Sequence, residues 1–358
     1  MKKKIDIYLL ISVIFLTIFG LFMIYDASSY VAFRDFADKY HYVKDQIFWI
    51  TLGFLALGFF SFFDYHKFYN LAIPILLVSL GLLFAVFIPG LGVKLLGARR
   101  WIDLKFILLQ PSELIKLSLA IYLSAWFSSK EKGRIWAFLS LLALIIFLVI
   151  LEPDMGTAAI ILFEGLVLFF LSGARVFYFA LLGPAIAVLG FIFTKIEPYR
   201  AARLATFLNA NQDVNSSSYH VRQILIALGS GGLTGVGLGN SLQKYAYLPE
   251  NVTDSIFAII AEELGFLGAG IIIGIFLIII GRGFYISSSA KDSFGKLLAG
   301  GITAFLAGQI FINLAAQTAL LPLTGIPLPF ISYGGSALIM NLAAIGILLN
   351  IGRQGVRA

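Results

Sequence analysis

Charged side chains are scarce in this sequence, and several of them lie at the edges of apolar segments. Asp254 follows Asn251-Val-Thr and precedes a long apolar run. A carboxylate at the mouth of a membrane cavity is suited to act as a general base. The alternative role of Asp254 is to cap the helix that begins there, which requires no chemistry. Because an ionisable residue within a span costs about 2.5–3.5 kcal/mol to insert, each one is a functional candidate.

Two arginines and a tryptophan occur together in the stretch GARRW. The guanidinium groups of Arg99 and Arg100, beside Trp101, offer paired donors that match phosphate oxygens. Downstream, Glu113 and Lys116 are three residues apart, so they share one helix face and can pair. These residues predict a site for a pyrophosphate. For Glu113 and Lys116 the alternative is an ion pair that only stabilises the helix.

A second acidic stretch, Glu152-Pro-Asp-Met-Gly-Thr, forms a very short connection between two predicted spans. Asp154 can cap the following helix. Alternatively, Glu152 and Asp154 brace the cationic site or hold a divalent ion through their oxygens. Lys244, in a later loop, is a further candidate ligand of the pyrophosphate.

The long loop before Asp254 contains a predicted short amphipathic or re-entrant helix that begins near Tyr219. A glycine-rich stretch follows it, and these glycines allow close backbone approach, either to a ligand or in a tight re-entrant loop. Arg203 and Gln223 in this loop are candidate substrate-binding residues. Ser332 is another, at the end of a proline-rich segment that is expected to form a stiff apolar wall.

Other polar residues are expected to have structural roles. Gln309, Asn313 and Gln317 recur every four residues along one apolar helix, a pattern that predicts hydrogen bonds between helices. Glu262 and Glu263 lie two turns beyond Asp254 and must face polar partners.

These residues are positioned by a chain that is too apolar to be a soluble globule. The 358 residues are 60% hydrophobic and 13% charged, with a mean hydropathy of +0.95. Long apolar runs exclude an outer-membrane barrel, and the lack of cysteine excludes disulfides and thiolate metal sites. About ten transmembrane helices are predicted, so the expected fold class is an all-α polytopic integral membrane protein. The predicted spans are approximately residues 7–25, 46–63, 68–87, 112–127, 136–151, 157–171, 177–193, 255–280, 295–316 and 335–351.

The positive-inside rule orients the predicted spans. Lys2, Lys3 and Lys4 place the amino terminus in the cytoplasm, and an even number of spans then places both termini there. A single membrane domain over residues 1–358 is expected, with residues 194–253 as a large extracytoplasmic loop. Many basic residues remain in the external loops, and beside a cavity they indicate an anion site rather than an orientation signal.

Several stretches, taken in order, resemble the SEDS family (shape, elongation, division and sporulation), the FtsW, RodA and SpoVE proteins. They are GARRW, QPSELIK, EPDMGT, YLPENVTDSIFAIIAEELGFLG and LPLTGIPLPFISYGGS, and they span nearly the whole chain. Two further strings, GVGLGNSLQKYAYLPE and GILLNIGR, resemble division and sporulation members more than elongation members. Family members often have Gln at the position of Glu152 and an aromatic residue at that of Ser255.

The resemblance implies an inverting glycosyltransferase that polymerises lipid II into peptidoglycan at the outer face of the bacterial cytoplasmic membrane. It implies a class B penicillin-binding protein and other division or elongation membrane proteins as partners, and no nucleic acid. The only cofactor that this chemistry would add is a divalent cation, Mg²⁺ or Mn²⁺, at the pyrophosphate. The family's essential aspartate, its Glu–Lys pair and its basic residues fall on Asp254, on Glu113 and Lys116, and on Arg99, Arg100 and Lys244.

Two other functional classes fit a protein of this kind. One is a lipid II flippase, which needs a hydrophilic path through both leaflets, whereas the polar residues here are concentrated in the external half. The other is a non-catalytic scaffold that recruits the penicillin-binding protein, with Asp254 only as a helix cap. Polymerisation of purified lipid II distinguishes the enzyme from both.

Overall fold

The protein is a bundle of long apolar helices. A computed structural model describes residues 5–95, 98–103, 105, 107–129, 135–184 and 216–355. Its helices are α1 (Ile7–Phe36), α2 (His41–Phe62), α3 (Lys67–Ala85), α4 (Pro111–Ser128), α5 (Ile135–Leu151), α6 (Met155–Leu171), α7 (Ser216–Gly231), α8 (Ile256–Ser289), α9 (Ser293–Gln317) and α10 (Gly335–Gly355). Residues 176–184 are also helical.

Each predicted span overlaps a helix in the described residues, although α1 and α8 extend beyond their predicted ends, and the expected fold class of a polytopic helical membrane protein is confirmed. Within the described residues, six helices are long and apolar enough to cross a membrane, and α5 and α6 are shorter apolar helices. The seventh predicted span is described only as far as residue 184, and Arg203 lies outside the described residues.

A small antiparallel sheet is the main departure from an all-α fold. Strands β1 (Gly92–Leu95), β2 (Ala98–Asp103) and β3 (Leu108–Leu109) lie between α3 and α4, in the order β1-β2-β3. Val93 pairs with Trp101, and Ile102 pairs with Leu109. The sequence did not predict these strands, because they are short and their apolar residues do not alternate clearly with polar ones.

The helices α9 and α10 form the centre of the bundle. In their most apolar stretches, 78% of α9 and 89% of α10 is buried, compared with 22–39% in α1, α2 and α3. Small residues allow close packing in this core, since a Cβ at Gly301 would lie 3.0 Å from the side chain of Leu168, and one at Gly308 would lie 3.2 Å from Phe163. The outer helices therefore present most of their apolar surface to lipid.

The sheet and several loops meet at one end of the bundle, called the loop end below. It comprises the sheet, the turn 152–154, residues 245–255 and the loop 318–334. Hydrogen bonds join these parts: Arg100 binds the carbonyl of Glu152, and the N–H of Tyr333 donates to the carbonyl of Val252 at 2.9 Å. The hydroxyl of Ser336 donates to the carbonyl of Leu108 at 3.0 Å.

The segment 216–255 is re-entrant, which is one of the two possibilities that the sequence left open for its first part. From His220, beside Ser255, the helix α7 descends along α8 to Gly231, where a Cβ would lie 2.1 Å from the carbonyl oxygen of Ala261. The glycine-rich stretch, residues 229–239, then contacts α8 at Gly265, where φ is +68° and ψ is −170°. The chain afterwards returns to the loop end, where α8 begins.

Backbone hydrogen bonds join the glycine-rich stretch to the broken turn of α8. The N–H groups of Val236 and Gly237 donate to the carbonyls of Glu262 and Glu263 at 3.0 and 3.1 Å. The N–H of Phe266 donates back to the carbonyl of Gly232 at 2.9 Å. These bonds satisfy peptide groups that the break in α8 would otherwise leave unpaired within the membrane.

Candidate functional site

Asp254 lies at the loop end, in the turn immediately before α8, and its side chain is partly buried. Its Oδ1 accepts a hydrogen bond from the hydroxyl of Thr253 at 3.0 Å. Its Oδ2 faces Gly325, where a Cβ would lie 4.0 Å away. The residue at the N-cap position of α8 is Ser255. Asp254 therefore stands one residue before the cap and faces the proline-rich loop 318–334.

Two amides from α9 bind the backbone around Asp254. Asn313 Nδ2 donates to the carbonyl oxygen of Asp254 at 3.0 Å and to that of Ile326 at 2.7 Å. Gln317 Nε2 donates to the same carbonyl of Asp254, and Gln317 Oε1 accepts from the N–H of Ala258 at 2.8 Å. Asn313 and Gln317 of the predicted polar stripe thus join α9 to the start of α8 and to the loop 318–334, whereas neither amide atom of Gln309 has a hydrogen-bond partner among the described residues.

The short turn between α5 and α6 packs against the same loop. A Cβ at Gly156 would lie 2.7 Å from the side chain of Ile326 and 3.1 Å from Thr324. Arg100 on β2 donates to this turn, from Nε to the carbonyl of Glu152 at 3.0 Å and from Nη2 to the carbonyl of Pro153. Because these contacts are continuous, β2, the turn and the loop beside Asp254 form one wall of the loop end.

Glu152 is a buried acid in this turn, outside the membrane-spanning helices. Its side chain is 0% exposed, and neither carboxyl oxygen has a hydrogen-bond partner in the part of the chain that the structure describes. Its pKa is raised to about 9, first by burial and then by the Asp154 carboxylate, while Arg100 acts in the opposite direction. Glu152 is therefore protonated near neutral pH.

Asp154 adopts the capping role that the sequence allowed for it. Its Oδ1 accepts from the N–H of Thr157 at 3.0 Å, and its Oδ2 accepts from the hydroxyl of Thr157 at 2.9 Å. The carboxylate thus satisfies a free donor in the first turn of α6. Both of its oxygens have partners within the protein.

Glu113 and Lys116 form the ion pair that their spacing predicted. Lys116 Nζ lies 2.8 Å from Glu113 Oε1, and both side chains are at most 3% exposed. Lys116 also interacts electrostatically with Glu164 of α6, a fully buried residue that the sequence analysis did not single out. The pair lies in the first turns of α4, below the sheet.

Lys244 lies apart from the arginines of the sheet, in an ionic cluster between α1, α8 and the segment 232–255. Its Nζ is 2.9 Å from Asp26 Oδ1 and 3.2 Å from Glu263 Oε1, and its side chain is 6% exposed. Glu262 accepts hydrogen bonds from the hydroxyl and backbone groups of this segment, including Ser241 Oγ. Both glutamates have the polar partners that the sequence required.

The other predicted site residues have different degrees of exposure. Arg99 is exposed on β2, whereas Trp101 is half-buried on the same strand. Gln223 is half-buried on α7. Ser332 is buried in a small recess of the loop 318–334, where its hydroxyl accepts from the N–H of Leu328 at 2.8 Å. Of these, Arg99 has the most solvent access for an anionic ligand.

The acidic residues in the described parts of the chain do not fit a resident metal. Among these residues, no group of three His, Asp or Glu side chains is arranged to hold an ion. Asp154 is engaged by Thr157, and Glu152 is protonated near neutral pH. A divalent cation at the pyrophosphate therefore stays a prediction, and no step is derived through it.

Two contacts beside Asp254 could not be found from sequence. His220 Nε2 lies 2.8 Å from Ser255 Oγ, although 35 residues separate them. The polar stripe that contains Gln317 predicted hydrogen bonds between helices, but the sequence did not indicate that Gln317 binds the backbone of Asp254 and of Ala258.

Comparison with known proteins agrees with the resemblance. The family model of the FtsW, RodA and SpoVE proteins, described as "Cell cycle protein", matches residues 7–356. A probable peptidoglycan glycosyltransferase FtsW from Geobacter sp. (strain M18) is 39% identical, over 97% of this chain and 96% of its own length. Stage V sporulation protein E from Bacillus subtilis (strain 168) is 38% identical, over 98% of both chains.

Solved structures share the fold. A chain from a peptidoglycan synthase complex, described in terms of coordinated polymerization and crosslinking, has a TM-score of 0.80 at 26% identity. RodA from Thermus thermophilus, a rod shape determining protein, has a TM-score of 0.70 at 27% identity. Each match covers 99% of both chains. The prediction of a division-like or sporulation-like member is confirmed, and this chain belongs to the FtsW, RodA and SpoVE family of cell cycle proteins.

Proposed function

We propose that this protein is a peptidoglycan glycosyltransferase that polymerises lipid II. The observation that carries the proposal is the placement of Asp254, which is held by its backbone at the loop end and faces the loop 318–334. Relatives that are 38–39% identical over nearly the whole chain are named as probable peptidoglycan glycosyltransferases. A carboxylate held by its backbone is suited to accept a proton from a bound sugar.

The proposed reaction is an inverting glycosyl transfer. A hydroxyl oxygen of the acceptor sugar attacks the anomeric carbon of the donor, and the bond from that carbon to the pyrophosphate oxygen breaks. The acceptor proton passes to Asp254, and undecaprenyl pyrophosphate leaves with the bonding electrons. The leaving group here needs little protonation, so the reaction does not require the pair of carboxylates that a retaining mechanism uses.

The cations of the loop end would stabilise the charge that builds on the pyrophosphate. Arg99 is exposed on β2 and is placed to bind it directly. Arg100 already donates to the carbonyls of the turn 152–154, so it would bind the substrate with its remaining donors. Lys116 and Lys244 are paired with carboxylates, and we assign them to the supporting structure.

The loop end would face the outside of the bacterial cytoplasmic membrane. The support is the set of basic residues in short connections, because the short loops on the cytoplasmic side of a membrane are enriched in Lys and Arg. The opposite end of the bundle carries these residues: Lys67, Arg175, Arg282, Lys291, Lys296 and Arg353. In this orientation the site meets lipid II on the outer face, and both termini are cytoplasmic.

A class B penicillin-binding protein is the proposed partner, together with other membrane proteins of division or elongation. The support is the fold shared with a chain of a peptidoglycan synthase complex. Such a partner would crosslink the glycan strands that this protein makes.

The direct test is polymerisation of labelled lipid II by the purified protein with its cognate transpeptidase, in the presence of moenomycin. Asp254→Asn is expected to reduce the rate at least about 100-fold, because it removes the proton acceptor. Asp45→Asn is the matched control, since Asp45 is an exposed carboxylate at the same end and its contact is with Tyr333. This control is expected to retain the wild-type rate.

Retention of most of the rate by folded Asp254→Asn would disprove the base assignment. Absence of polymer from the wild type, with transfer of lipid II between leaflets of a vesicle, would support a flippase instead. Absence of both activities, with the partner still bound, would support a scaffold.

A further inference from the structure

The helix α8 begins without the side-chain cap that its sequence offers. Ser255 occupies the N-cap position, and its hydroxyl would ordinarily accept from the N–H of the second or third helical residue. Ser255 makes no such bond, and its Oγ lies 2.8 Å from His220 Nε2. The N–H of the third helical residue, Ala258, donates to the backbone carbonyl of Ser255 at 3.0 Å and also to an acceptor from outside α8.

Gln317 of α9 supplies that acceptor. Its Oε1 accepts from Ala258 N at 2.8 Å, and its Nε2 donates to the carbonyl oxygen of Asp254 and to Asn313 Oδ1 at 2.9 Å. The side chain is 1% exposed, so water does not compete for these bonds. The partners also determine the orientation of the amide, since a backbone N–H requires the oxygen and the two acceptors require the NH₂ group.

This arrangement holds the backbone of Asp254 at the start of α8. Here the donor of Ala258 is bound by Gln317, and the carbonyl of Asp254 is bound by Gln317 and Asn313. Gln317 thus binds the backbone on both sides of Ser255, at Asp254 and at Ala258. The carboxylate of Asp254 lies toward Gly325.

We propose that Gln317 is a positioning residue for the reaction: it caps α8 from a neighbouring helix and thereby holds Asp254 in the orientation that accepts the sugar proton. This inference rests on the proposed role of Asp254 as the base. Gln317 itself touches no substrate, so its loss should reduce the rate of the chemical step more than the binding of lipid II.

The test is Gln317→Met, which keeps the length of the side chain and removes its donors and acceptor. The kcat for lipid II polymerisation is expected to fall at least about tenfold, with KM within about threefold of the wild type, because a misplaced base affects the transition state more than the ground state. The pH at which the rate is half-maximal on the acidic side is also expected to shift by at least about half a unit, since the surroundings of the base change.

Gln309→Met is the matched control. Gln309 lies two turns away on the same face of α9, is 0% exposed, and neither of its amide atoms has a hydrogen-bond partner within the described residues. It is expected to keep the wild-type kcat, KM and pH profile. The folded fraction of every variant is measured by thermal melting in detergent, and rates are expressed per folded molecule.

Two outcomes would overturn the inference. In one, Gln317→Met behaves as Gln309→Met does. In the other, its activity falls only in proportion to its folded fraction, with kcat per folded molecule and the pH profile unchanged. Asp254→Asn, assayed in parallel, separates the two proposals: if it stays active, the base assignment fails and the inference fails with it, whereas an inactive Asp254→Asn beside a fully active Gln317→Met refutes only the positioning role.

Discussion

Glu152 shows how burial sets the charge of a single residue at the loop end. An acid whose pKa is higher in the folded state than in the unfolded chain is stabilised in its protonated form. The pKa of Glu152 is raised from 4.5 to about 9. Between these values the unfolded chain has released the proton and the folded protein still holds it, so the contribution of Glu152 to stability falls as pH rises through this window.

Glu152→Gln is therefore expected to stabilise the protein at pH 8 but not at pH 4.5. The amide has nearly the shape of the protonated acid and cannot ionise, so it removes this pH dependence. A change of 1 kcal/mol shifts the melting temperature of a domain of 150–250 residues by about 2–4 °C, and we expect a rise of at least about 2 °C at pH 8. Thermal melting in detergent across this pH range measures it.

Asp45→Asn, at an exposed carboxylate of the same end, is the control and is expected to give no comparable rise. A melting curve of Glu152→Gln that follows the wild type at every pH would show that Glu152 is ionised in the folded protein.

The kinds of residue at the site and a pair one helical turn apart could be predicted from the sequence, whereas partners that are distant in the sequence could not. The pairing of Glu113 with Lys116 followed from helix geometry alone, since the two are one turn apart. Gln317 and Asp254 are 63 residues apart, and His220 and Ser255 are 35 apart. Such contacts depend on how helices pack, which the local pattern of a single sequence does not specify.

At the scale of elements, the broken turn of α8 determines how the re-entrant segment is held. Gly265 has a backbone conformation that is open almost only to glycine. A Cβ there would lie 2.2 Å from the nitrogen of Gly235, which belongs to the backbone and cannot move aside freely. The hydrogen bonds on both sides of the break depend on this close approach.

Gly265→Ala is expected to destabilise the protein by about 2–4 kcal/mol, through backbone strain and the clash with Gly235. The measurement is thermal melting in detergent, with limited proteolysis of the segment 232–255 as a second readout. Gly274→Ala is the matched control, because Gly274 lies in the same helix and a Cβ there meets no atom within 4 Å. Equal melting temperatures for the two variants would contradict this account of the break.

Helices were predictable at this scale, and their interruptions were not. Apolar runs of spanning length identified the helices because a membrane requires such runs. The run from Ile256 to Ser289 is apolar apart from a few residues such as Glu262, Glu263 and Arg282, so hydropathy marks it as one span and does not reveal the break at Gly265. The strands β1 to β3 were missed because a short hairpin depends on pairing rather than on periodicity.

At the scale of the whole molecule, α1 and α8 are joined by ion pairs at both ends. Toward the loop end, Lys244 bridges Asp26 of α1 and Glu263 of α8. At the opposite end, Arg282 of α8 binds Asp6 at 2.6 Å. The two junctions differ in burial, since the Lys244 side chain is 6% exposed and that of Arg282 is 32% exposed.

Lys244→Met is expected to destabilise the protein by about 3–5 kcal/mol, because it leaves buried carboxylates without a cation. Arg282→Gln is expected to lower stability by about 1 kcal/mol or less, because the Arg282 side chain is 32% exposed and Asp6 keeps its hydrogen bond from the N–H of Leu9. Melting in detergent compares the two variants. If Lys244→Met melts as the wild type does but raises the KM for lipid II, Lys244 is a substrate ligand, as its sequence context predicted.

The central position of α10 has a consequence for how the molecule is made. A ribosome delivers α2 to the bilayer about 270 residues before it delivers α10. Yet α10 is the helix that α2 packs on, with Gly335 against Trp49 and Gly53 against Leu342. During synthesis α2 is therefore inserted before the helix that covers this face. The contact between them, and with it the packed core of the bundle, forms only after α10 has been inserted.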